Sequence, residues 1–279
     1  MDRRKFLIIS GIMAASATAA VAETGLAGVI DSILGSNRFP ARQTLGVCNE
    51  KDLHPVVSMS RSAAEQRMRH LASSQGLEEY WAFYRISDTD GILVDFGFSQ
   101  TPAEAWVNTG LMARKASEID RSGEDRSGED RSRGDRSGGY PLKVTSYHLH
   151  TDRGVKGVWD SASYLAPSGF RKLDDVNFLI CALPSARDMI ANIETMGLMH
   201  RNSIPYESER VVCSKAVISY VPGNDMQRLY HGYGSEEQRE SGFGKIAENA
   251  LVEGITYHSL DKALKVYRDA GLLIHIREF

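Results

Sequence analysis

Short segments with the pattern of β-strands alternate along this chain with segments of helical periodicity. Residues 79–86 and 92–98 are aromatic and β-branched, and the Asp-Gly turn at 88–91 between them predicts a β-hairpin. A capping box that starts at Ser62, followed by apolar residues at helical spacing, predicts a helix over 62–74. Because strands and helices are interleaved, the sequence predicts an α+β (α/β-like) fold, with helices flanking a central mixed β-sheet.

The second half of the chain continues this alternation. The elements predicted there are a strand at 142–150, a helix opening at 184–188, β structure over 211–221, helices over 244–253 and 260–270, and a final strand at 272–276. Residues 151–172 are predicted to be loop and 222–225 a turn, because glycine and proline recur in them. The apolar run 176–183 fits a strand or a helix, since periodicity does not separate the two.

A short polar repeat interrupts the pattern near the middle of the chain. The sequence DRSGE at 120–124 is repeated at 125–129, and no apolar residue occurs between Asp120 and Gly139. Such a segment buries too little apolar surface to offset its ordering entropy. We therefore expect a disordered surface loop over 117–140, inserted in a single domain that covers 59–279.

The first residues have the three parts of an export signal. Arg3 and Arg4 stand in a charged start, an uncharged and mostly apolar run covers 8–19, and Ala20-Val21-Ala22 has the pattern of a cleavage site. The paired arginines resemble the twin-arginine signal, which implies the twin-arginine export machinery as a partner and a periplasmic or secreted location. A signal peptide over 1–22 and an N-terminal arm over 23–58 are therefore predicted.

Charge and hydropathy narrow the classes of partner. No other segment has a long apolar run, so no membrane span is expected after removal of the signal. Removal takes away a net charge of +2, and the formal net charge falls from −3 to −5. An acidic chain lacks the basic footprint that nucleic acids require, so no nucleic-acid role is expected. The three cysteines have no framework spacing, and Cys181 and Cys213 stand in apolar runs that predict burial.

Two histidines on one predicted strand are the strongest indication of chemistry. His148 and His150 are two residues apart, so their side chains leave the same face of the strand. Two imidazoles held in this way can ligate one metal ion together. A carboxylate from another element would complete three protein ligands and leave a position open for water, as in catalytic zinc sites. A nearby glutamate could then transfer protons.

The order of these residues resembles the JAMM/MPN metallopeptidase superfamily. The matching positions are Glu79 at the start of a strand, His148 and His150 on a later strand, and Ser185 and Asp188 at the start of the next helix. The resemblance implies that the two histidines and the aspartate bind zinc, that the glutamate is the general acid/base, and that the serine helps to hold the oxyanion. It also implies a sheet flanked by helices and the hydrolysis of an amide or isopeptide bond.

Two assignments stay open on the sequence. The segment between His150 and Ser185 holds 34 residues, more than the family usually has, and Asp174 or Asp175 is nearer and could be the third ligand. Glu78 is the alternative to Glu79 for proton transfer.

Two functions are compatible with this sequence. One is an exported zinc-dependent hydrolase that cleaves an amide bond in a peptide or protein substrate. The other is a non-enzymatic exported binding or interaction protein with a degenerate site. The separation between the two imidazoles and the nearest carboxylates distinguishes them.

Overall fold

A seven-stranded mixed sheet is the centre of the fold, as the sequence predicts. The computed structural model describes residues 57–74, 78–98, 109–126 and 142–279. The strands are β1 (Val57–Ser60), β2 (Glu79–Arg85), β3 (Asp90–Phe98), β4 (Lys143–Leu149), β5 (Tyr206–Val212), β6 (Ala216–Pro222) and β7 (Leu272–Glu278). Their order in the sheet is β1-β3-β2-β4-β5-β6-β7. β4 and β5 pair in parallel, whereas the other neighbours pair antiparallel.

Helices cover both faces of this sheet. They are α1 (Arg61–Ser74), α2 (Thr109–Arg126), α3 (Asp152–Ala162), α4 (Asp175–Cys181), α5 (Ala186–Arg201), α6 (Asn224–Gly232), α7 (Glu236–Tyr257) and α8 (Leu260–Asp269). Helix α1 packs with Trp81 and Tyr147 on one face. Helices α2 and α5 pack with Tyr80 and Val144 on the other face, and α3, α4, α7 and α8 extend the core over β5 to β7.

The β2–β3 hairpin is confirmed, and Gly91 explains part of its sequence. The backbone N–H groups of Ile86 and Ser87 both donate to the carbonyl of Asp90 in the turn. A Cβ at Gly91 would overlap the ring of Phe83 and lie 2.6 Å from the carbonyl oxygen of Tyr84. Only glycine fits this close approach of side chain and backbone.

Several predicted boundaries were wrong. Residues 151–172 are not loop, because α3 and two 3₁₀ turns (Ser163–Leu165 and Ser168–Phe170) occupy them. The run 176–183, whose sequence fits either a strand or a helix, is mostly helix α4. The β structure predicted over 211–221 covers only the end of β5 and most of β6, and the predicted turn at 222–225 holds the last residue of β6 and the start of α6. The first copy of the polar repeat is helical, since α2 continues to Arg126. The rest of the predicted loop lies outside the described residues.

Only part of the prediction for the N-terminal residues falls within the described residues. β1 begins at Val57, so the last two residues of the predicted arm belong to the sheet. The predicted signal peptide over 1–22, the remainder of the arm and Cys48 lie outside the described residues. Within the described part of the chain, no helix combines the length and the apolar character needed to cross a bilayer.

Candidate metal centre

His148 and His150 come from the carboxyl end of β4, at the centre of the sheet. Leu149 between them packs on the α1 face, so both imidazoles emerge on the opposite face, which α5 covers. The two Nε2 atoms lie 3.2 Å apart. The backbone N–H of His150 donates to the carbonyl of Val212 at 3.0 Å and continues the pairing with β5 one residue beyond the strand. The sheet therefore holds both rings side by side.

Asp188 reaches the histidines from the first turn of α5. Its Oδ1 lies 3.4 Å from Nε2 of His148, and its Oδ2 lies 3.5 Å from Nε2 of His150. The carboxylate is oriented by a capping box: Asp188 accepts from the backbone N–H of Ser185 at 2.6 Å, and its own N–H donates to Oγ of Ser185. Across the described ranges, these three residues form the one cluster with ligand atoms close enough to share a metal ion.

The hydrogen bond at Nδ1 of each imidazole determines which ring nitrogen carries the proton. Nδ1 of His150 lies 3.0 Å from the carbonyl oxygen of Ala182, and Nδ1 of His148 lies 3.1 Å from Oε1 of Glu209. A carbonyl only accepts, so Nδ1 of His150 carries a proton, and a carboxylate favours the same tautomer for His148. Both Nε2 atoms then face one space beside the two Asp188 oxygens. A positive charge shared among these atoms, either a proton or a metal ion, is favourable there, so the donor set fits a metal ion.

The charges in this cluster depend strongly on one another. Burial disfavours the charged imidazole of His148, but Asp188 and Glu209 outweigh this effect and raise its pKa well above the ordinary value. Burial alone would raise the pKa of Asp188, yet His148 and His150 hold it well below its usual range. The site therefore keeps a negative carboxylate that attracts a positive charge, either a proton or a metal ion.

The two alternative third ligands lie elsewhere. Asp174 caps α4 through the N–H of Asn177, and its Oδ2 lies 2.7 Å from Nε2 of His258. Asp175 is exposed and pairs with Lys215. Both side chains are committed to contacts away from the histidines, so Asp188 is the aspartate that the fold brings to them.

The predicted glutamate and serine have different positions. Glu79 accepts a hydrogen bond from Nε1 of Trp81 at 2.8 Å, which places it on the α1 face, and the structure does not bring it to the histidines. Tyr80 pairs with His148 across the sheet, so the alternation of an extended chain predicts that Glu78, the residue directly before β2, lies on the histidine side. Ser185 adjoins the cluster as the N-cap of α5.

Sequence reasoning missed Glu209. It is 2% exposed in the middle of β5 and contacts His148 directly. The sequence predicts β structure only from Val211 onward, two residues later, so no predicted element includes Glu209. A glutamate among strand residues gives no local sign that its partner is a histidine on another strand.

Protein-family models, curated proteins and solved structures all gave no match to this chain.

Proposed function

We propose that this chain is an exported zinc-dependent hydrolase that cleaves an amide bond in a peptide or protein. One observation carries the proposal: two imidazole nitrogens and a carboxylate converge, while both distal ring nitrogens are held by hydrogen-bond acceptors. His148, His150 and Asp188 would hold the ion. Two nitrogens and one oxygen are a ligand set typical of catalytic zinc, with a position left open.

Zinc bound there would lower the pKa of water and polarise the substrate carbonyl. The chain's own residues supply the remaining functions. Asp188 balances the charge of the site and is oriented by the capping box, so the ligand does not have to be ordered when the ion arrives. His148 and His150 are fixed on adjacent pleats of a central strand, which gives the site a rigid base.

We assign proton transfer to Glu78 instead of Glu79. Glu78 is 7% exposed and directly precedes β2, and the alternation of an extended chain puts its side chain on the histidine side, where a carboxylate could exchange a proton with bound water or substrate. Glu79 is directed to the other face by the pleat. The position of the strand therefore supports Glu78, which the sequence left open as the alternative to Glu79.

Ser185 is proposed to donate to the developing oxyanion. Its oxygen accepts from the N–H of Asp188 through a lone pair, and this leaves its own proton available for donation. The residue is partly exposed next to a ligand, as a group that contacts substrate must be.

The twin-arginine resemblance of residues 1–22 supports a periplasmic or secreted location and transport by the export machinery.

The competing function loses its main support. A binding protein with a degenerate site would be favoured by histidines remote from any acid. His148 instead has Asp188 within 3.4 Å on one side and Glu209 within 3.1 Å on the other. Three intact ligands with ordered partners favour a working metal site.

Metal analysis of the purified protein tests the proposal directly. Protein prepared without a polyhistidine tag is expected to contain close to one zinc per chain by inductively coupled plasma mass spectrometry. His148→Ala should lose it, whereas His275→Ala, which alters an exposed histidine on β7, should retain it. Wild-type protein that contains no zinc and takes none up on dialysis would end the proposal.

A further inference from the structure

We infer that Glu209 is a positioning residue that keeps His148 in the tautomer able to bind the metal ion. The inference rests on the proposed metal site. Glu209 accepts from Nδ1 of His148, so Nε2, which faces Asp188 and His150, is the nitrogen left to bind the metal ion. His150 has only a backbone carbonyl for the same purpose. The carboxylate of Glu209, a stronger acceptor than a carbonyl, thus contacts Nδ1 of His148, the more deeply buried of the two histidines.

The two oxygens of Glu209 have separate tasks. Oε1 faces His148, whereas Oε2 accepts from the hydroxyls of Tyr80 at 3.0 Å, Tyr206 at 2.9 Å and Ser146. A buried carboxylate is costly unless hydrogen bonds compensate for lost water, and these three donors supply them. With Oε2 saturated by hydroxyls, Oε1 is held in place for the imidazole.

An irregularity in β5 makes this arrangement possible. Val144 pairs with Tyr206 and Thr145 with Ser208, so Glu207 is an extra residue in β5, a β-bulge. In a regular strand Tyr206 and Glu209, three residues apart, would lie on opposite faces. The bulge brings both to the histidine face and sends Glu207 to Arg61 and Thr145 on the α1 face. Bulges interrupt the ladder and often redirect side chains beside a functional site.

Replacing Glu209 with glutamine would reverse the hydrogen bonding of the ring. Three hydroxyls that donate to the Oε2 position favour the amide oxygen there, which leaves the NH₂ group facing Nδ1 of His148. The imidazole must then accept at Nδ1 and carry its proton on Nε2. A protonated Nε2 cannot ligate a metal ion.

The test compares zinc affinity in Glu209→Gln with that in Glu207→Gln. Both variants change the same residue type on the same strand, but Glu207 belongs to the other face. Competition for Zn²⁺ with a chromophoric chelator should show about a 10- to 100-fold weaker affinity for Glu209→Gln, the range for loss of such a partner. Glu207→Gln should bind zinc like the wild type. The visible spectrum of the Co²⁺-loaded protein should change only in Glu209→Gln.

A purely structural role predicts a different result. Glu209→Gln would then melt at a lower temperature, yet the folded protein would bind zinc with unchanged affinity and give an unchanged Co²⁺ spectrum, and the inference would be overturned. If that variant does not fold, Glu209→Asp, which retains the charge but withdraws it by one methylene, replaces it with the same expected loss of affinity. Absence of zinc from the wild type would instead overturn the proposed function, so the two failures are distinguishable.

Discussion

Glu78 and Glu79 are adjacent in sequence, and the alternation of an extended chain assigns them to opposite sides of the sheet. Tyr80 pairs with His148, and Trp81 contacts Glu79, so the pleat assigns each glutamate to one face. If the proposed hydrolase function is correct, only the residue on the histidine side can exchange a proton with a substrate bound at His148 and Asp188. The two glutamates therefore allow a test of proton transfer, because the same substitution can be made at neighbouring positions on opposite faces.

We expect Glu78→Gln to retain zinc but to lower the hydrolysis rate of test peptides by roughly 10²- to 10⁴-fold, the contribution of a general acid/base. Glu79→Gln, the matched control, should retain both zinc and activity. Rates would be followed with fluorogenic peptide and isopeptide substrates, and zinc by mass spectrometry. Equal rates for Glu78→Gln and the wild type would contradict the assignment, as would a large loss in Glu79→Gln alone.

The site could be predicted from sequence only where local order determines it. His148 and His150 share a face of one strand, and Ser185 and Asp188 share one helix turn, so short-range geometry identifies each pair. Glu209 could not be found in this way, because its approach to His148 depends on the pairing of β4 with β5 and on a bulge.

Among the secondary-structure elements, helix α7 shows why predicted boundaries fell short. Its sequence predicts a helix only over 244–253, since glycines interrupt the pattern, whereas the structure extends it over Glu236–Tyr257. A Cβ at Gly242 would overlap the hydroxyl oxygen of Tyr233, and one at Gly254 would lie 2.8 Å from Cγ2 of Ile180. These glycines permit close packing of neighbouring elements, which a single sequence does not reveal.

Substitution of two glycines in α7 separates packing from helix propensity. Gly254→Ala should lower the free energy of unfolding, because an overpacking cost of about 1–3 kcal/mol exceeds a propensity gain of about 1 kcal/mol. A Cβ at Gly244 would meet no atom of a neighbouring element within 4 Å, so Gly244→Ala should raise the free energy of unfolding by up to about 1 kcal/mol. Urea unfolding curves would measure both, and shifts of the same sign would refute the account.

The segment between the histidines and Asp188 shows how a missed element contributes to the site. Helix α3 buries Val155, Trp159 and Ala162 at helical spacing behind the N-cap Thr151, a signal that the surrounding glycines obscured. Helix α4 is capped at its carboxyl end by Ala182, whose carbonyl accepts from Nδ1 of His150. The long connection is therefore an ordered part of the candidate metal centre.

At the scale of the whole molecule, the residues of the site come from distant parts of the chain, and the sheet brings them together only when the domain is folded. β4 supplies the histidines, its parallel neighbour β5 supplies Glu209, and the helices that connect them supply Asp188. A ligand that binds only the folded chain must therefore stabilise the whole domain. At a zinc concentration 100 times the dissociation constant, the gain is about 2.7 kcal/mol, and each kcal/mol raises the melting temperature of a domain this size by roughly 2–4 °C.

This gain should grow with pH. The raised pKa of His148 means that its charged form stabilises the metal-free fold fully below the unfolded pKa of about 6.5, and that this contribution is lost as pH rises through the folded pKa. The lowered pKa of Asp188 gives a contribution present above about pH 4 and lost only in acid, so it stays constant near neutrality. The same proton on Nε2 must leave when zinc binds, so zinc binds more tightly as pH rises.

This linkage widens the difference in melting temperature between zinc-loaded and chelator-treated protein from pH 6 to pH 8. Differential scanning calorimetry at fixed free zinc would measure that difference, with His148→Ala as the variant that should show almost none at either pH. A difference that narrows as pH rises would mean that zinc does not displace a proton from this cluster. Because the comparison is made within one protein at each pH, changes in stability from titrating groups that are the same with and without zinc cancel, and only the groups coupled to the metal remain.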